Sequence, residues 1–123
     1  MARIAVVTGG SRGIGEAISC ALKDKGMTVV AIYAGNDQAA QEFTERTGIE
    51  TRKWDVGDHQ ACMDGCAEIE QSVGPIDVLV NNAGYGHEGV LEESSISELE
   101  RQFAANVYGP VALMQAVLPG MRA

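Results

Sequence analysis

Two glycine-rich stretches carry most of the chemistry this chain could do: TGGSRGIG, Thr8 to Gly15, and GYGHEG, Gly84 to Gly89. Glycines let the backbone turn sharply and let its N–H groups close on a bulky anion, so both stretches suggest phosphate binding where a helix begins. GYGHEG matches the pattern G-x-G-x-x-G letter for letter. TGGSRGIG does not: three residues separate Gly9 from Gly13, and one separates Gly13 from Gly15. Context separates them. TGGSRGIG lies between a β-branched run, Ile4 to Val7, and apolar residues at helical spacing, Ile14, Ile18, Ala21 and Leu22. The first N–H groups of a helix have no partner inside it, and the helix dipole adds positive potential there. GYGHEG follows an apolar run, but Val90-Leu91-Glu92-Glu93 intervenes before the next helix start, so no helix N-terminus converges on it. The phosphate site is therefore expected at Thr8, Gly9, Ser11, Arg12, Gly13, Ile14 and Gly15. A tight turn without a ligand is the alternative.

The elements that must position this turn alternate. Apolar runs at Ile4–Val7, Thr28–Tyr33 and Asp77–Asn81 predict strands, and Glu50–Trp54 reads as a weaker one. Helical stretches fall between them: one stopped by Gly26, one over Asp37–Arg46, and one capped by Asp58 and ended by Gly74-Pro75. A last helix starts at a capping box, Ser95-Ile-Ser-Glu98, and is expected to run to about Val117, before Pro119. The order βαβαβαβα, with continuous apolar strands, implies a parallel sheet covered on both faces. Right-handed crossovers then give a doubly wound, Rossmann-like α/β fold of about four strands.

The chain has 123 residues, the size of a single domain over 1–123, with 46% apolar and 21% charged residues. A formal charge of −8 without a basic run argues against nucleic-acid partners. The apolar N-terminal run is too short for a membrane span or a secretory signal, and the three cysteines have no disulfide-framework spacing. A cytoplasmic protein is expected.

Other clusters are weaker. His59, Cys62 and Cys66 share a helical face and could bind zinc, but buried cysteines and an exposed histidine are the plainer reading, so no metal is expected. His87 and Glu88 could contact substrate or be an exposed loop pair. Glu92, Glu93, Glu98 and Glu100 suit a helix N-terminal region.

TGGSRGIG, the Asp55-Val56 pair, NNAG at Asn81 to Gly84, and Asn106 in QFAANVYG together resemble the short-chain dehydrogenase/reductase family along the whole chain. Residues 1–84 are most similar to its acetoacetyl-CoA reductases, in AVVTGGSRGIG, YAGND, KWDV and GPIDVLVNNAG; beyond Gly84 the chain looks like a generic short-chain oxidoreductase, almost a join of two subgroups near Tyr85. The resemblance implies that Asp55 and Val56 contact adenine, although Asp55 could be a turn residue. It implies that Asn82, Ala83 and Gly84 lie along the cofactor, and that Asn106 holds a proton-relay water. Gly86 and Gly89 then belong to a loop near the nicotinamide end. The cofactor is expected to be NADP(H) rather than NAD(H). The tip of the second strand, Tyr33-Ala34-Gly35-Asn36, has no carboxylate for a ribose 2′-OH, and Asp37 is expected to start the next helix. Arg12 suits a 2′-phosphate, and Asn36 is counted with the cofactor-binding residues.

The family's Ser and Tyr-x-x-x-Lys do not occur: Tyr33, Tyr85 and Tyr108 have no Lys four residues on. Asn106 is the one retained catalytic member. The resemblance therefore implies the cofactor-binding portion of a carbonyl or 3-oxoacyl reductase, truncated at its C-terminal side. The alternative is a non-catalytic nucleotide-binding or self-associating fragment. A homo-oligomer is expected through strand 77–82 and helix 96–117, with Phe103, Val107, Val111, Leu113 and Met114 as the apolar surface to be covered.

Overall fold

The computed structural model describes residues 2–84 and 89–123. Its four strands are β1 (Ile4–Thr8), β2 (Thr28–Tyr33), β3 (Glu50–Lys53) and β4 (Val78–Val80). They pair in parallel in the order β3-β2-β1-β4. The helices are α1 (Gly13–Asp24), α2 (Asp37–Thr47), α3 (His59–Ser72), α4 (Ile96–Phe103) and α5 (Gly109–Arg122). The expected α/β class and doubly wound order hold.

Strand periodicity divides the core between the two faces. Val6, Val30 and Ile32 pack with Cys62, Cys66 and Ile69 of α3 and Leu113 and Val117 of α5. Their neighbours Ala5, Val7, Val29 and Ala31 pack on the opposite face with Phe43 of α2 and, partly buried, Ile18 and Leu22 of α1. β1 and β2 are apolar through Ile4–Val7 and Val29–Ile32, where both of their faces are covered.

Local capping fixes where the helices begin. Asn36 accepts from the Ala39 N–H, Asp58 from that of Ala61, and Ser95 forms the expected capping box with Glu98. Asp37 is the first helical residue of α2, as expected. Glu92 and Glu93 lie in a separate 3-10 turn, Leu91–Glu93, so of the acidic cluster Glu98 alone sits in the first turn of α4.

Three expectations need correction. β4 is shorter than 77–82. Asp77 precedes it and binds Ile4 twice: Ile4 N–H donates to Asp77 Oδ2 at 2.8 Å, and Asp77 N–H donates to the Ile4 carbonyl at 2.8 Å. The final helix is not one regular helix: a π-helical turn, Ala104–Tyr108, separates α4 from α5. It also continues through Pro119 to Arg122, because a proline in the last turns removes one N–H donor without unwinding the residues after it. Leu113 is fully buried, packed with Ala112 and Val117 toward α3, and does not belong to the exposed apolar surface. No helix among the described residues is long and apolar enough to cross a membrane.

Candidate functional site

A groove of about 670 Å³ runs across the C-terminal ends of the strands, where open parallel sheets place their ligands. Strands lie about 4.8 Å apart, so four strand ends span about 14 Å. The β1–α1 turn lies in the middle. Tips of β2 and β3 flank it on one side, and the segment after β4 flanks it on the other.

The turn is held from below. Thr8 is buried, and its hydroxyl donates to the Val80 carbonyl (3.3 Å) while accepting from the N–H groups of Asn82 and Ala83 (3.0 Å each). The Asn82 side-chain amide donates to the carbonyls of Thr8 (3.2 Å) and Gly9 (3.3 Å). Ser19, in α1, donates to the Gly10 carbonyl at 2.9 Å and is fully buried. The turn is thus stitched to β4 and to its own helix before any ligand arrives, which is the condition for preorganised binding.

Two glycines have no substitute here. A Cβ at Gly15 would overlap the Gly9 carbonyl oxygen. Gly13, at φ +59°, has open space where a side chain would go, and it faces the groove. Among the helices that start from a loop, α2, α3 and α4 carry side-chain caps, whereas Arg12 at the α1 N-cap provides none. The α1 N–H groups therefore lack a side-chain acceptor and open on a glycine-lined groove. A phosphate fits that opening in chemistry and in charge.

Gly9, Ser11, Arg12 and Gly13 line the groove, as do Asn36, Asp55, Val56, Asn82, Ala83 and Gly84. Four expected residues do not. Thr8 and Gly15 lie beneath the turn, and Ile14 stands exposed on α1. Asn106 sits in the π-helical turn, its Oδ1 2.7 Å from where a Cβ on Gly84 would be. It borders a second cavity, of about 180 Å³, with Gln102, Phe103 and Val107. π-turns recur at functional sites because they re-aim side chains. His87 and Glu88 lie outside the described residues, as do Tyr85 and Gly86.

Sequence reasoning missed Ile32, Tyr33 and Trp54 on one side of the turn and Ala105 on the other. Strand-tip residues join the groove only once strand order is known.

Charge is arranged at the β2 side. Arg12 makes no ion pair among the described residues. Asp37 is turned to Lys53 (Nζ–Oδ1 3.0 Å) and to Tyr33, whose hydroxyl donates at 3.0 Å. Lys53 foremost, then Tyr33, hold its carboxyl below the ordinary range, while burial and the Asp37 contact push the Tyr33 phenol up. Asn36 spends its carbonyl oxygen on the α2 cap and keeps its NH₂ to offer. Asp55 Oδ1 accepts from the Gly57 N–H at 2.8 Å, so Asp55 is a turn residue as well as a groove residue.

Cys62 and Cys66 are buried in the core and His59 is exposed. Burial pushes the Cys66 thiol up to about 12, and that of Cys62 upward too. Both are packing residues; no group of metal-binding side chains occurs among the described residues.

The short chain dehydrogenase family model matches residues 3–123. Acetoacetyl-CoA reductase of Paracoccus denitrificans is 49% identical over 122 residues, covering 99% of this chain and 50% of that protein; the alignment continues past Tyr85. A short-chain dehydrogenase from Streptomyces avermitilis superposes with TM-score 0.90 at 35% identity, over 98% of this chain and 45% of the other. A blue fluorescent protein from a metagenomic library, in complex with NADPH, superposes at 0.89 with 32% identity, over 97% and 51%. The chain spans about half the length of these relatives. The glycine-rich β1–α1 turn, the strand order and these likenesses agree, and the chain belongs to the short chain dehydrogenase family.

Proposed function

We propose that this chain binds NADP(H) in the groove and is the cofactor-binding part of a carbonyl reductase of the 3-oxoacyl class. The carrying observation is the uncapped α1 N-terminus, opening through Gly9 and Gly13 beside an Arg12 that makes no ion pair among the described residues, with no free carboxylate at the β2 tip. A pyrophosphate sits on α1, the adenosine lies toward β2 and β3, and the nicotinamide ribose lies along Asn82, Ala83 and Gly84. Arg12 and the Asn36 NH₂ hold the 2′-phosphate. Asp37 is engaged by Lys53 and Tyr33, so it does not compete as the ribose acceptor of an NAD site. The NADPH complex of the metagenomic relative supports this choice.

When bound, the cofactor supplies hydride. Among the chain's own residues, Asn106 is the one retained for proton handling, beside Gly84. General acid catalysis contributes about 10²–10⁴-fold, so without Ser, Tyr and Lys the 123-residue chain turns over little by itself. The second reading is a nucleotide-binding, self-associating fragment with no turnover. It is favoured by the exposed stripe Phe103, Val107, Val111, Met114, Leu118 and Met121, each 38–52% exposed and spaced by four, four, three, four and three residues. We propose that helix 96–117, with the stripe that runs past it to Met121, and the β4 edge within 77–82 are covered in a homodimer or larger assembly. The free cysteines suit a reducing compartment such as the cytoplasm.

Calorimetric titration tests the cofactor reading. NADPH binds at least tenfold more tightly than NADH, and acetoacetyl-CoA does not drive NADPH oxidation. A folded chain that ignores both nucleotides at millimolar concentration would sink the proposal. Equal affinity for the two would sink the 2′-phosphate assignment.

A further inference from the structure

Trp54 is the chain's single tryptophan. It follows β3 directly, its N–H donates to the Tyr33 carbonyl at 3.0 Å, and it lines the groove beside Asp55 and Val56. Its indole is fixed from behind by α3. Three atoms of the six-membered ring, Cζ3, Cε3 and Cη2, stand where a Cβ on Gly65 would be, Cε3 at 2.5 Å and Cη2 at 2.6 Å from it. The indole N–H is buried, with no oxygen or nitrogen partner among the described residues, and it faces the Cys62 thiol, a weak acceptor. Cys62 and Gly65 are three residues apart in one helix, so they grip the ring from a single face of α3.

Glycine is a poor residue inside a 14-residue helix. Gly65 makes sense as the one residue that lets an indole lie against the helix backbone. Cys62, which the sequence offered as a metal ligand, has a packing duty in the same grip.

We infer that Trp54 is the adenine-positioning residue of the groove, and that the Cys62–Gly65 face of α3 sets its angle. This rests on the cofactor reading above. The pyrophosphate end is at β1 and the ribose end at β2, so the base attached to that ribose extends toward β3, where Trp54 stands. An aromatic ring there offers a π-face to adenine regardless of what the phosphates do.

The test is titration of the full chain with NADPH, NADH and adenosine 2′,5′-bisphosphate. Trp54→Ala weakens all three by a similar factor, about tenfold or more, because each carries adenine; Arg12→Ala, by contrast, spares NADH. Trp54→Phe stays within about threefold of the wild type by keeping an aromatic face. Gly65→Ala weakens binding as Trp54→Ala does and shifts the tryptophan emission. Adding Trp54→Phe to it restores affinity to the Trp54→Phe level, because the smaller ring leaves room for the methyl. If Gly65→Ala fails to fold, the two Trp54 variants decide alone. Trp54→Ala within twofold of wild type for every ligand overturns the inference while leaving the cofactor reading intact. A folded wild-type chain that binds neither NADPH nor the bisphosphate overturns both.

Discussion

The outer strands of the sheet are built in opposite ways. β3 is polar and charged: Arg52 reaches Glu50 at 3.2 Å and Glu68 of α3 at 2.9 Å, and Lys53 reaches Asp37. An edge that displays paired charges resists pairing with another strand. β4 is Val78-Leu79-Val80, half-buried, and among the described residues it pairs with β1 alone. The groove follows the same division. Its β3 side carries Arg12, Asn36, Asp55, Val56 and Trp54, whereas its β4 side carries Asn82, Ala83, Gly84 and Ala105. One half of the molecule is finished on its own terms. The other presents a half-buried apolar strand and exposed apolar helix surface, the surface proposed above to be covered in an assembly. Adenosine recognition should therefore belong to this chain by itself, and assembly should depend on the β4 side.

The largest effect should come from the turn where the two halves meet. Gly15→Val puts side-chain atoms onto the Gly9 carbonyl, and the backbone there is stitched to both α1 and β4. Overpacking of this kind costs about 1–3 kcal/mol or more. The expected result is a lowered Tm and NADPH affinity reduced more than about 100-fold. Unchanged affinity would mean that the turn is not the phosphate site.

The β4 side is tested through the stripe. Val111→Lys with Met114→Lys places two charges at its centre, on a surface 41–43% exposed in the isolated chain. Core positions of an interface carry about 2 kcal/mol or more when they matter, so the dimer constant should weaken by about 30-fold or more by that measure. Sedimentation velocity would show a shift toward monomer with NADPH binding retained. A wild-type chain that is monomeric at micromolar concentration would break the comparison at its β4 side.

Local chemistry made much of this legible from sequence. Asp58 and Ser95 announce their helices because a cap needs only residues three positions away; Asn36, read as a cofactor residue, caps α2 in the same way. TGGSRGIG and the better letter match differ in context as expected: α1 begins at Gly13, inside the first, whereas Ile96 begins α4 well after Gly89. What sequence did not reveal depends on packing. Tyr33 and Trp54 reach the groove through the order β3-β2-β1. Leu113 lies about 100° around the helix from Met114, and it is buried by α3 while its neighbour is exposed. The π-turn at Ala104–Tyr108 has no local signature; it forms where Gly109 meets the Val56 carbonyl so closely that a Cβ would overlap it. Thr8, counted with the cofactor-binding residues, has a second duty that only the fold reveals: its hydroxyl joins β1 to the end of β4.

Arg12→Ala sharpens the β3 side next. Hydrogen bonds to charged groups are worth about 1.5–3 kcal/mol, so NADPH affinity should fall roughly 10- to 100-fold while NADH affinity holds. Equal loss for both nucleotides would place Arg12 at the pyrophosphate instead. Loss for neither would remove it from the site.

The smallest effect concerns the charged edge itself. The Asp37 carboxyl is held below its ordinary value by Lys53 and then Tyr33. A depressed folded-state pKa gives stability that is complete above the unfolded value, about 3.9, and is lost as pH falls through the lower folded value. Asp37→Asn should therefore lower Tm slightly at pH 7, and the gap between variant and wild type should close as the pH falls below the unfolded value. Because Asp37 is exposed, salt should shrink the gap as well. Asp37→Asn should leave NADPH affinity nearly unchanged, since Asp37 faces Lys53 and Tyr33 and does not line the groove. A gain in NADPH affinity would instead show that the carboxylate repels the 2′-phosphate. That outcome would move Asp37 from the β3 edge into the cofactor site, and the finished side of the molecule would owe its nucleotide preference to a charge it has to neutralise.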